Sequence, residues 1–247
     1  MGDVTDLLYI ALAFLLGGVL KGATGAGAPI LAIPVLSLYH DVPTAVTVFV
    51  VPNILSNVWQ SWQYRRERLP AAFSVPLVVA GIVGAGVGTL LLSTLSGQAL
   101  AALVAAVLFV YIAFRLARPD WRLAYARAVP LAAPLGLVAG ILQGASGISA
   151  PVSITFLNAM RLERAVFIAT ISIFFLGMGL AQLPLMMAFG LMTGERFLAS
   201  GVALLPLLAG MPLGAWLARR VSRSVFDRVI LALLGVMAVR LAIEAVR

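Results

Sequence analysis

Cysteine is absent from this sequence, and histidine and lysine occur once each, as His40 and Lys21. Without cysteine there are no disulfides, thiolate metal sites or cysteine nucleophiles, and a lone histidine excludes a histidine-rich metal cluster. Acid is scarce as well. The carboxylates are Asp3, Asp6, Asp41, Glu67, Asp120, Glu163, Glu195, Asp227 and Glu244, and each falls in a loop or near the end of an apolar run. A cation site built on carboxylates and a buried Asp/Glu proton relay therefore lack their residues. Extramembrane mass is small and no nucleotide-binding motif is present, so neither ATP coupling within this chain nor a cofactor is expected.

What fills the chain is hydrocarbon. It is 62% hydrophobic and 11% charged, with a mean hydropathy of +1.09, and apolar runs of about 18 residues or more recur from end to end, as in a polytopic all-α membrane protein. The first run, Leu7 to Leu20, has no basic segment before it and is followed by further spans, so it reads as a retained helix and not as a cleaved signal peptide. The net charge of +8 would suggest nucleic acid in a soluble chain. Here the arginines cluster in short loops between spans, where charge sets orientation, and nucleic acid is discarded as a partner in favour of the lipid bilayer.

Hydropathy and Pro, Gly and charge punctuation predict helices over 6–21, 28–39, 43–63, 69–94, 97–117, 128–143, 149–159, 163–190, 196–218 and 224–245. Arginine-rich stretches at Arg65, Arg66 and Arg68, at Arg115, Arg118, Arg122 and Arg127, and at Arg219, Arg220, Arg223 and Arg228 are assigned to the cytoplasm. Arg161 and Arg164 follow them inside, leaving thirteen arginines in and three out, Arg196, Arg240 and Arg247. Both termini then face outward. Residues 1–40 and 128–160 each leave one face and return to it with roughly 30 apolar residues, where two full spans need about 20 each. Both are expected to be short or broken helix pairs hinged on a Gly-rich turn.

The two hinges are copies of one another. "KGATGAGAPILAIPVL" from Lys21 aligns without gaps on "QGASGISAPVSITFL" from Gln143, matching Gly22 with Gly144, Thr24 with Ser146, Gly25 with Gly147 and Pro29 with Pro151. Further on, Gly84 and Gly88 match Gly210 and Gly214. The matched stretches fall on opposite faces, so the fold expected is one transporter domain over 1–247 made of two inverted-topology repeats, 1–120 and 125–247. Each holds a short broken helix pair hinged on a Gly-rich loop and three transmembrane helices. Inverted repeats with broken helices recur in secondary transporters, because two mirror-related states of one scaffold give alternating access.

Glycine permits an unwound turn, and proline opening the next half-helix lacks an N–H that would be unpaired there. "TGAGAP" and "SGISAP" thus read as two helix N-termini whose free N–H groups and positive dipole ends suit an anion. Lys21, about fifteen residues into its helix, sits roughly 22 Å deep in a core about 30 Å thick. An ammonium there costs about 2.5–3.5 kcal/mol and marks a pathway or counter-charge. Its alternative is an anchor that snorkels to the interface. The expected substrate-binding residues are Lys21, Gly22, Thr24, Gly25, Gly27, Gln143, Gly144, Ser146, Gly147 and Ser149. Asn53 and Asn57 join them from a polar face that continues through Ser56 and Gln60, and such a face either lines a cavity or glues helices. A small anion held between the two loops near the midplane is the expected substrate. A coupling ion, if one is used, would be H⁺ or Na⁺.

The duplicated Gly-rich motif ending in Ala-Pro, in a chain of this length, resembles the sulfite exporter TauE/SafE family, also called the toluene sulfonate uptake permease family. The resemblance spans both halves. It implies an inner-membrane transporter of bacteria for sulfite or organosulfonates such as sulfoacetate or isethionate; the family's first motif is often a denser glycine run, which Ala26 and Ala28 interrupt here. An anion channel or passive facilitator using the same site is the second reading. A third is an intramembrane serine protease, suggested by "GASG" around Ser146. Its base would have to be His40, in the other repeat, while Thr24 stands where Ser146 does in the duplicate. The Gly22–Gly27 pattern follows a membrane span and no strand, so it is not a dinucleotide fingerprint. The pairs Gly84/Gly88 and Gly210/Gly214 read as helix-packing contacts, Met186 and Met187 as core filling, and Trp59 and Trp62 as interfacial belt.

Overall fold

The computed structural model describes residues 4–117, 121–220 and 223–246, without the side chains at positions 4, 6, 7, 218, 219, 223–230, 233, 244 and 246. Asp3, Arg118, Asp120 and Arg247, and the side chains of Asp6, Arg219, Arg223, Asp227, Arg228 and Glu244, lie outside the described residues. All regular structure among the described residues is helical. The first half runs α1 (Val4–Thr24), α2 (Ala28–Ser37), α3 (Val42–Gln63), α4 (Ala71–Thr94) and α5 (Gly97–Ala117). The second runs α6 (Tyr125–Ala128), a 3₁₀ turn at Val129–Leu131, α7 (Ala132–Ser146), α8 (Ala150–Ala159), α9 (Arg164–Ala188), α10 (Gly194–Arg220) and α11 (Arg223–Val246). By length and composition, six helical stretches among the described residues can cross a membrane: α3, α4, α5, the continuous Tyr125–Ser146, α9 and α10.

Each hinged pair is unequal, with the shorter member second: α2 and α8 have ten residues each, about 15 Å. The first members are longer, 21 residues in α1 and 22 in Tyr125–Ser146, or a little over 30 Å. They continue past Lys21 and Gln143 and close on the left-handed Gly25 and Gly147, whose N–H groups bond the carbonyls of Lys21 and Gln143; the hydroxyls of Thr24 and Ser146 donate to the carbonyls of Leu20 and Leu142, at 2.8 and 2.7 Å.

The halves are joined by glycine. Gly18 and Gly22 of α1 face the carbonyl oxygens of Leu207 and Met211 on α10, while Gly210 and Gly214 face those of Leu15 and Val19. In the other corner Gly84 and Gly88 of α4 face the carbonyls of Leu137 and Ile141, and Gly140 and Gly144 of α7 face those of Gly81 and Ala85. Backbones approach this closely only where no Cβ intervenes, the small-residue packing of membrane helices. In both corners residue numbers rise together along the contact, so α1 runs parallel to α10 and α4 parallel to α7. Counterparts also pack on each other, α3 on α9 and α5 on α11, and each half-helix rests on the other half's last helix, α2 on α11 and α8 on α5.

Helix α3 begins with Asp41, whose carboxylate accepts the Thr44 N–H at 2.7 Å as an N-cap. Its interior contains Pro52, which has no N–H and so frees the carbonyl four residues back, that of Val48. Ser200 of α10 repairs the gap. Its hydroxyl donates to Val48 O at 2.8 Å and accepts the Val51 N–H at 3.3 Å, as hydrocarbon surroundings require of any freed backbone group.

Candidate anion site

The hinge between α1 and α2 is a turn through two left-handed glycines, Gly25 at φ 84° and Gly27 at φ 98°. The Gly25 N–H bonds the Lys21 carbonyl at 2.7 Å, and Thr24 Oγ also contacts the carbonyl and N–H of Ala26. The α7–α8 hinge repeats the design. Gly147 stands at φ 69°, its N–H bonds the Gln143 carbonyl at 2.8 Å, and Ser146 Oγ meets the carbonyl and N–H of Ile148. At the Gly27 position, however, Ser149 keeps an ordinary φ of −101°. Pro29 and Pro151 open the two half-helices.

Lys21 does not snorkel. Its side chain is 2% exposed, and Nζ donates to Asn57 Oδ1 at 2.8 Å; Asn57 Nδ2 in turn donates to the carbonyl and side-chain oxygens of Asn53, at 2.7 and 2.8 Å. Asn57 and Asn53 are buried. Near them Ser172 of α9 donates to Gln60 Oε1 at 3.2 Å. The polar face of α3 thus points inward. Among the described residues no carboxylate lies within ion-pairing distance of Lys21, so its charge is answered by neutral dipoles alone. Placed in the last turn of α1, it also meets the negative end of that helix.

The second copy forms a separate, uncharged cluster. Ser149 Oγ donates to Gln143 Oε1 at 3.1 Å and meets Ser153 Oγ at 3.2 Å, with all three residues buried. Gln182 of α9 donates to the carbonyls of Gln143 and Gly144 at 3.4 and 3.3 Å.

The structure does not bring the two loops together. A Cβ on Gly147 would meet Ile33 and Val46, whereas Lys21 meets Asn57; Val46 and Asn57 are about 16 Å apart along α3. On α9, Ile168 packs on Gly25 and Gln182 on Gly144, about 21 Å apart. The expected site therefore divides: Lys21, Asn53 and Asn57 with the Gly25–Gly27 turn on one level, and Gln143, Ser149 and the Gly147 turn on another. Gly22 and Gly144 leave the site, since their open side faces the backbones of α10 and α4. Thr24 and Ser146 hold their hinges by bonds to backbone, which occupy their hydroxyl hydrogens. Ser146 Oγ bonds the backbones of Leu142 and Ile148.

A residue with no sequence signal completes the first site. Arg164, exposed at the start of α9, donates to the carbonyls of Gly22 and Ala23 at 3.2 and 3.5 Å. Gln182 does the same for Gln143 and Gly144, one residue earlier in the matching hinge, so one helix caps the ends of both α1 and α7. Pairing across 142 residues leaves no local pattern to read.

The family profile described as Sulfite exporter TauE/SafE matches residues 9–241. No curated protein and no solved structure matches the chain. The match covers both hinges and every helix contributing to either cluster, and the chain belongs to the sulfite exporter TauE/SafE family of membrane transporters.

Proposed function

We propose that the protein is a secondary transporter of a small sulfur oxyanion, sulfite or an organosulfonate, whose negative head is held at Lys21. The observation that carries this reading is the burial of the sole lysine against Asn57 with no acid among the described residues to neutralise it. Such a charge is costly in a membrane interior, and an anionic substrate offsets the cost. Asn57 and Asn53 orient the ammonium, and the first turn of α2 adds backbone N–H groups at a positive helix end. Parallel α1 with α10 and parallel α4 with α7 support inverted repeats, and hence alternating access in a multi-pass protein of the inner membrane with both termini outward. The Gln143 cluster is then the uncharged counterpart of the site and not its other half. Closure around Lys21 favours a carrier over a standing channel.

Reconstituted in vesicles, the protein is expected to move radiolabelled sulfite with a rate that saturates and that excess sulfonate, but not chloride, suppresses. A flux linear in concentration and insensitive to sulfonate would contradict a carrier with this site.

A further inference from the structure

Two side-chain contacts tie the halves together at opposite ends of α1. At its C-terminal end, Arg164 from α9 of the second half reaches the carbonyls of Gly22 and Ala23 in the first hinge. One turn further along α9, Ile168 lies against Gly25, so the two residues cover the hinge from the membrane face where the arginines cluster. At the other end Tyr9 of α1 stacks on Tyr39 with ring centroids 3.7 Å apart, marking the level of the α2–α3 turn. There the N-cap Asp41 of the first half meets Arg196 near the start of α10, at 3.8 Å, and Arg196 is fixed by a 2.8 Å bond to Leu191 O. The position in the first half that aligns with Arg164 is Val42, next to Asp41. Each half thus presents the start of its third helix to an arginine-mediated contact with the other half, but the two contacts are built from different groups.

We propose that Arg164 and the Asp41–Arg196 pair are the two gates of the Lys21 site: the first seals it from the arginine-rich face and the second from the opposite face. The inference rests on the proposed transport function. Between the two contacts Lys21, Asn53, Asn57, Gln60 and Ser172 are all buried, as an occluded site requires. Both contacts are weak by chemistry, one a charged donor on neutral carbonyls with its side chain in solvent, the other a long ion pair whose Asp41 side chain is 58% exposed. Weakness suits them, since each has to break once per cycle and a strong contact would trap one state. The division also assigns Arg164 a positioning role: it holds the end of α1, and Lys21 with it, while α9 is docked.

The absence of cysteine makes the test direct. Ser172→Cys places a single thiol in the buried cluster, and its labelling by a membrane-impermeant maleimide is timed from each face in right-side-out and inverted vesicles. Arg164→Ala is expected to raise the rate at least fivefold from the arginine-rich face only, Arg164→Lys to leave it within twofold, and Arg196→Ala to raise it from the opposite face only. Equal increases from both faces report general loosening and overturn the proposal, as does no change in proteins that elute and melt like the parent. Protection of the same thiol by sulfite reads the site separately. Sided labelling without protection keeps the gates and removes the anion; protection without sided labelling keeps the anion and removes the gates.

Discussion

At the scale of the residue, Lys21 stands apart because removing it should stabilise the empty protein. Lys21→Met exchanges a buried ammonium, costly by about 2.5–3.5 kcal/mol in a membrane, for a side chain of similar length without charge. The empty variant is expected to melt at or above the parent temperature while losing its response to anions, both read in one thermal-unfolding series; a variant that melts well below the parent would make Lys21 a structural cation. Gly25→Ala tests the hinge. A left-handed backbone costs a non-glycine residue roughly 1–2 kcal/mol, and the added carbon would also press on Ile168, so the loss should exceed 2 kcal/mol by denaturant titration. Lys21, Asn53 and Asn57 could be read from the sequence together because a lone buried charge and a polar face at helical spacing leave a pattern. Their separation from Gln143 and Ser149 could not. The duplication matches the loops as equals, and only the contacts of Val46, Asn57, Ile168 and Gln182 show how far apart along the helices they lie.

At the scale of the element, glycines with the same composition have unlike tasks. A methyl on Gly22 would collide with the carbonyl of Met211, whereas Gly201, on the same α10 that Gly22 packs against, has nothing within 4 Å. Gly22→Ala should destabilise by at least about 2 kcal/mol, as overpacking does, and Gly201→Ala should be neutral or stabilise by up to about 1 kcal/mol through helix propensity. The repair of α3 makes a coupled prediction. Ser200→Ala should cost about 1 kcal/mol in the parent and much less in a Pro52→Ala background, where the Val48 carbonyl regains its own N–H; equal costs in both would deny the repair. Helix limits were legible to within a few residues because proline, glycine and arginine punctuate the apolar runs. α1 and α7 each end three residues later than expected, at Thr24 and Ser146, because the last turn closes on the left-handed Gly25 or Gly147 and not on the first glycine of the motif.

At the scale of the whole molecule, class and family were plain from composition and the repeated motif, while the gating contacts were hidden. Arg164 and Asp41–Arg196 join residues more than a hundred positions apart, and no periodicity encodes that. Arginines stack on tryptophans at the ends of α3 and α10, Arg65 over Trp62 at 5.0 Å and Arg220 over Trp216 at 5.1 Å, which agrees with one shared interface for both helix ends. With the arginine-rich loops inside, Arg66→Cys is expected to label from the cytoplasmic face alone; labelling from outside would reverse the orientation. Central to this mechanism is an anion that binds at Lys21 without the second loop. Thermal unfolding of the purified protein with sulfite, sulfoacetate, sulfate and chloride should show stabilisation by one sulfur anion, about 2.7 kcal/mol at a hundred times Kd. That shift should vanish in Lys21→Gln and persist in Gln143→Ala. A shift that survives in Lys21→Gln, or that Gln143→Ala abolishes, would contradict it.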